Sequence, residues 1–151
     1  MNPLQDVPRL IEWQTFNAAA GNADGHGKNL SILYDDGGPR LAPFYDLVST
    51  REYGNLDRLL AMGVGGRRNA DELGFEQWAA LAVELEMRDR VVFDIVGRTL
   101  EKVAESLPEW TGEYRDKYGA LPILQTLPGW IEKQLRCLRR AMEKPPKAAK
   151  D

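Results

Sequence analysis

Residues 21–28, GNADGHGK, cannot continue a helix or pair smoothly as a strand, because three glycines and a row of short polar side chains favour tight turns. They divide the chain. Before them, Leu10, Ile11, Trp13, Phe16 and Ala20 make a broad apolar stripe behind Pro8, which suits a first helical turn, so the spacing predicts a helix over 8–20 ended by Gly21 and Asn22. After them, the mostly apolar runs 30–34 and 40–44 flank Asp35-Asp36-Gly37-Gly38, the pattern of a β-hairpin. From Leu56 on the pattern turns helical. Leu56, Leu59 and Leu60 predict a short helix, and Phe75, Trp78, Ala82 and Leu85 one face of another. A longer helix capped by Asp89 carries Val92, Ile95, Val96, Thr99, Leu100, Val103 and Leu107 and is expected to stop at Pro108. A last helix is expected to open at Pro128, with Ile131, Leu135, Leu138 and Met142 inward, before a disordered tail over 144–151.

Composition narrows the function. The 151 residues are enough for one domain, expected over 1–143, and hydrophobic residues at 43% exclude a disordered chain. Twenty basic against 23 acidic side chains give no general attraction to nucleic acid. A single cysteine, Cys137, and a single histidine, His26, exclude an internal disulfide and a four-ligand zinc site. No apolar run approaches the roughly 20 residues a membrane helix needs, and a cytoplasmic location is the expectation.

The polar residues least explained by packing crowd into 24–46. Asp24 stands five positions before Asn29, the separation of the acid and the amide in the protein-kinase catalytic loop. The chemistry asks for that spacing, since a carboxylate must take the proton of the attacking hydroxyl while an amide oxygen from the same turn holds magnesium. A second metal carboxylate should follow the hairpin, where Asp46 stands. Asp24 and Asn29 also suit plain turn formers, and Asp46 a cap.

The match extends further along the chain. Phe16-Asn17, the run 21–31 (GNADGHGKNLS), the run 41–47 (LAPFYDL) and Leu60-Ala61-Met62-Gly63 resemble the C-terminal catalytic region of HipA-like serine/threonine kinases. The likeness is tightest over 16–63 and continues as helical pattern to about Leu107. It implies a mainly α fold, a kinase C-lobe-like helical domain with one small β-hairpin. It further implies Asp24 as catalytic base, Asn29 and Asp46 as magnesium ligands, and His26, Lys28 and Tyr45 on the nucleotide, with ATP and Mg2+ as cofactors. Lys28 equally suits a solvated surface, and Tyr45 the core. The implied partners are a protein substrate and a helix-turn-helix antitoxin.

The departures matter as much. Only 23 residues precede Asp24, none of them lysine, and no G-x-G-x-x-G occurs. A C-lobe without its N-lobe is therefore expected, completed by a separate N-lobe subunit or else catalytically dead and serving as a binding module for an antitoxin or target. A metal-dependent phosphohydrolase built on Asp24, His26 and Asp46 is a distant third, because one histidine and few carboxylates make a poor two-metal site. Residues 75–86 carry Glu76, Glu84 and Glu86 and no basic side chain, so direct DNA binding is not expected.

Overall fold

The computed structural model describes residues 2–143; the tail expected over 144–151 lies outside them. The order is α1 (Pro3–Ala20), a hairpin of β1 (Ile32–Asp35) and β2 (Gly38–Leu41), then α2 (Phe75–Glu84), α3 (Asp89–Tyr118) and α4 (Ile123–Ala141). The fold is mainly helical with one two-stranded antiparallel hairpin, as expected. Among the described residues no helix is long and apolar enough to cross a membrane.

The hairpin pairs Ile32 with Leu41 and Asp35 with Gly38, leaving Asp36 and Gly37 as the loop. Gly38 takes a φ of 90°, and the Asp35 carboxylate accepts the Gly37 N–H at 3.0 Å and the Arg40 Nε–H at 2.7 Å. Those two bonds hold the Asp35 carboxyl below the ordinary aspartate range, the arginine contributing most.

The helices share one core. Ile11 and Ala18 of α1, Trp78 and Ala82 of α2, Val92, Val96 and Leu100 of α3, and Leu135 and Leu138 of α4 meet there with Leu60, Val64 and Leu73 from the connecting segment. The stripes predicted over 8–20, 75–85, 89–107 and 128–142 are buried or half-buried throughout.

Four predicted boundaries are corrected. First, α1 begins at Pro3 rather than Pro8, because Asp6, 2% exposed, accepts the Asn2 N–H at 3.1 Å and the Leu41 N–H at 3.0 Å. That carboxylate caps the extra turn and ties it to β2; the bond Pro8 cannot donate would have gone to Leu4, at the exposed helix start. Second, α3 runs through Pro108 to Tyr118. Leu107 and Thr111 stay buried on either side of the proline, and the Thr111 hydroxyl donates to the Leu107 carbonyl at 2.6 Å, so packing outweighs the missing amide. Third, α4 starts at Ile123, five residues before Pro128, because Leu124 and Leu127 extend its buried face toward the N-terminus.

The fourth concerns Leu56, Leu59 and Leu60, which form no helix: the segment is a chain of turns in which Leu60 is buried and the other two are exposed. Its main chain is bonded elsewhere. Leu60 N–H donates to the Arg68 carbonyl at 2.8 Å, Arg68 Nε donates to the Leu60 carbonyl at 2.7 Å, and Gln14 Nε2 to the Met62 carbonyl at 2.6 Å. An α-helix would have to give up those partners.

Candidate active site

The loop begins where α1 ends. Gly21, at φ 67°, closes the helix in the left-handed conformation, and both it and Asn22 donate their N–H to the Asn17 carbonyl. Asn17 and Asn22 are both 1% exposed, and Asn22 Nδ2 donates to Asn17 Oδ1 at 3.0 Å. Asn22 Oδ1 then accepts the Asp24 N–H at 3.0 Å, which fixes the direction in which the chain leaves the helix. Gly25 sits so close over Asn17 that a Cβ there would lie 2.5 Å from Nδ2.

Thr50 closes the loop from the other side. Its hydroxyl donates to the Gly21 carbonyl at 2.9 Å and accepts the Ala23 N–H at 3.0 Å, while its own N–H donates to Gly21 at 3.2 Å. These buried amides and this threonine form a frame, and the groups with chemistry stand on its rim.

Asp24 projects to solvent, its side chain 66% exposed, with one oxygen 3.8 Å from His26 Nε2. Asn29 is buried at the end of a short 3-10 turn, Gly27–Asn29. Its Oδ1 accepts the His26 N–H at 3.1 Å and its Nδ2 donates to Asp46 Oδ2 at 2.8 Å. The two residues expected to hold magnesium are thus brought together across 17 positions of sequence. Asp46 takes a φ of 56°, a left-handed conformation seldom adopted by a residue with a side chain, and its carboxylate is open to solvent. Lys28 is exposed and forms no ion pair among the described residues. Tyr45 lies beside them, but its hydroxyl is engaged by Ser31 Oγ at 3.0 Å and the Lys28 carbonyl at 3.1 Å, so only its ring is free for a ligand.

The donor set suits one cation better than two. Asp46 offers a carboxylate and Asn29 an amide, and no three His, Cys, Asp or Glu side chains among the described residues cluster as a metal site. In the arrangement seen, the Asn29 amide turns its nitrogen to Asp46 and spends its oxygen on the His26 N–H. A cation bridging the pair would displace that nitrogen and require the amide to turn.

All six residues predicted from sequence lie on this loop and the segment after the hairpin, and two apolar cavities elsewhere in the fold include none of them. The larger, about 430 Å³, lies behind Leu47 and Val48 between α1, α3 and α4. Sequence reasoning read Asn22 only as a helix end and assigned no role to Thr50 or Arg51, all three of which hold the loop. The signal for Thr50 is weak, since a threonine beside Ser49 at the end of PFYDLVST reads as an ordinary surface group; Arg51 is stacked on Trp130 with its guanidinium 4.1 Å from the ring centroid.

Comparison with known proteins agrees with this fold. The sequence model of the family described as HipA-like C-terminal domain matches residues 1–107. The chain is 42% identical over 118 residues to the protein named "Putative kinase Y4mE" from Sinorhizobium fredii, covering 76% of this chain and 28% of that protein. To the serine/threonine-protein kinase toxin HipA of Shewanella oneidensis it is 29% identical over 108 residues, covering 72% of this chain and 25% of the toxin. Among solved structures, HipA of Shewanella oneidensis MR-1, in complex with HipB and operator DNA, superposes with a TM-score of 0.74 at 26% identity, over 91% of this chain and 32% of that one. The chain therefore spans about a quarter of the length of these curated relatives.

Proposed function

The chain belongs to the HipA-like C-terminal domain family, and on that footing we propose that it forms the magnesium and base-bearing wall of a serine/threonine-protein kinase site. The observation that carries this reading is the 2.8 Å contact of Asn29 with Asp46, on a loop that also presents Asp24. Asp24 is free to accept the proton of an incoming hydroxyl, and the frame of Asn17, Asn22 and Thr50 fixes where it stands. Asp46 and Asn29 would hold magnesium, which supplies charge neutralisation on the transferred phosphoryl group. Lys28, exposed and without an ion pair among the described residues, adds positive charge for the same phosphates, and His26 and the ring of Tyr45 line the nucleotide side. A protein hydroxyl is the substrate, and a protein antitoxin the regulatory partner, by likeness to HipA and HipB.

A second reading is a binding module without turnover. It is favoured by the openness of the rim: Asp24, Lys28 and Asp46 are exposed, and among the described residues none covers them to exclude water. The two readings meet in one expectation. The 151-residue chain alone should bind ATP with magnesium weakly and transfer phosphate at no measurable rate unless an N-lobe, in the same polypeptide or another, is supplied.

Calorimetric titration of ATP with and without magnesium tests the assignment. Asp46→Ala should abolish the magnesium dependence and weaken binding about tenfold or more, whereas Asp24→Ala should leave binding within about twofold, because a base moves a proton and does not hold the nucleotide. Equal loss in both variants would mean that the aspartates maintain the loop only. No binding by any of the three proteins would leave the binding module as the surviving reading.

A further inference from the structure

The family match ends at residue 107, yet a helix beyond it reaches the entrance of the loop. Trp130, on α4, lies against the Arg51 guanidinium at 4.1 Å, and the Arg51 stem lies against Gly21. The three are stacked without slack. A Cβ on Gly21 would stand 2.5 Å from Arg51 Cγ and 2.7 Å from Trp130 Cη2, so glycine is required there by space as well as by its φ of 67°. A second tie runs beside the first, where the Thr126 hydroxyl of α4 donates to Glu52 Oε1 at 2.8 Å. Immediately before Arg51 stands Thr50, with its three hydrogen bonds to Gly21 and Ala23.

We propose that α4 is a positioning element for the loop: Trp130, through Arg51 and Thr50, sets the height at which the turn from Gly21 to Asp24 leaves α1, and so where Asp24 stands. The naming of Asp24 as a base rests on the reading above; the mechanical coupling does not. Trp130 touches no reacting group. It presses the 50–52 segment onto the loop, and the segment transmits that pressure through hydrogen bonds that a shift of a few tenths of an ångström would lengthen. Arg51 suits the task because its planar guanidinium stacks flat on an indole while its methylene stem covers the glycine.

Amide hydrogen exchange on the 151-residue chain tests this without nucleotide. In Trp130→Ala the Ala23 and Asp24 amides should exchange about tenfold faster or more, equivalent to roughly one net hydrogen bond, while Val96 and Leu100 in α3 stay within about twofold. Arg51→Ala should reproduce the effect with α4 and its core contacts intact, which covers the case of a Trp130 variant that folds poorly. Trp130→Phe, which keeps a ring for the guanidinium, should recover most of the protection. Unchanged Ala23 and Asp24 amides in Arg51→Ala would overturn the proposal. So would equal acceleration at Val96 and Leu100, since that is general destabilisation, and so would failure of Trp130→Phe to recover. A parallel titration with ATP and magnesium keeps the two readings apart: a wild type that binds no nucleotide sinks the kinase assignment and leaves the exchange result standing.

Discussion

From Gly21 to Arg68 the chain keeps its shape through side chains that bond to distant main chain, whereas from Phe75 to Ala141 it does so through the apolar faces of three helices. In the first region Thr50 reaches back to Gly21, Arg9 donates to the Leu41 and Ala42 carbonyls at 2.8 and 3.0 Å, and Gln14 donates to Met62. In the second, Leu100 and Leu107 of α3 and Ile131, Leu135 and Leu138 of α4 belong to one cluster, with the bond from Arg139 to the Leu100 carbonyl as a supplement. Directional bonds fix a place to a fraction of an ångström, and apolar contact fixes little more than a face. The candidate site sits in the directional region, and the helices supply the mass against which it is held.

The two regions should therefore fail differently. Leu135→Ala removes a side chain only 3% exposed from the centre of the helical region and should cost about 3 kcal/mol of global stability. Urea unfolding would measure it, and amide exchange should rise across α1, α3 and α4 together. A loss confined to α4 would break the idea of one shared core.

Asn22→Ala acts on the other region and should cost less, about 2 kcal/mol, because it strands the buried Asn17 amide oxygen and the part-buried Asp24 N–H. Its signature should be local, with faster exchange at Asp24 and unchanged exchange at Leu100. Asp24→Ala, two positions on and exposed, should change stability by no more than about 0.5 kcal/mol. If both variants cost the same, the distinction between buried frame and working rim is wrong.

The same division explains what the sequence disclosed. Glycine, asparagine and aspartate were reliable punctuation: Gly21 and Asn22 end α1, Asp36 and Gly37 make the hairpin loop, and the six candidate residues arrive on one loop and the segment facing it. Such residues act through their own backbone, so their effect is local and readable. Proline misled at Pro8, Pro108 and Pro128, each inside a helix rather than at its edge. Its cost is also local, but the packing that overrides it comes from residues far away, which periodicity about one proline cannot show. Thr50 and Arg51 were opaque for a related reason, since their partners lie 27 to 79 positions away.

Pro108 can sharpen that contrast. Pro108→Ala restores an amide donor to the Ala104 carbonyl in the middle of α3, at an exposed position where no packing is lost. Proline is about 3 kcal/mol worse than alanine inside a helix, part of which is recovered by its stiffening of the unfolded chain, so a gain of about 1 kcal/mol is expected by urea unfolding. Destabilisation would show that the proline shapes the bend by which α3 meets α4.

The smallest effect is expected at the hairpin, where a directional bond is wholly exposed. Asp35 accepts from Arg40 and from the Gly37 N–H, and its carboxyl is held below the ordinary aspartate value, chiefly by the arginine. A depressed folded value means that the unfolded chain takes up the proton first. The contribution is thus fully present above the unfolded value, about 3.9, and is lost as the pH falls through the lower folded value. Solvent screening keeps it slight, so it should appear as a local change in the amide shifts of Gly37 and Gly38 and leave the global unfolding midpoint where it was. Arg40→Ala should move the Asp35 titration, followed by its carboxyl carbon resonance, upward toward the ordinary value and flatten the acid response of those two amides. An Asp35 titration already at the ordinary value in the wild type would show that exposure defeats the bond, and that directional contacts in this protein position residues only where the frame is buried.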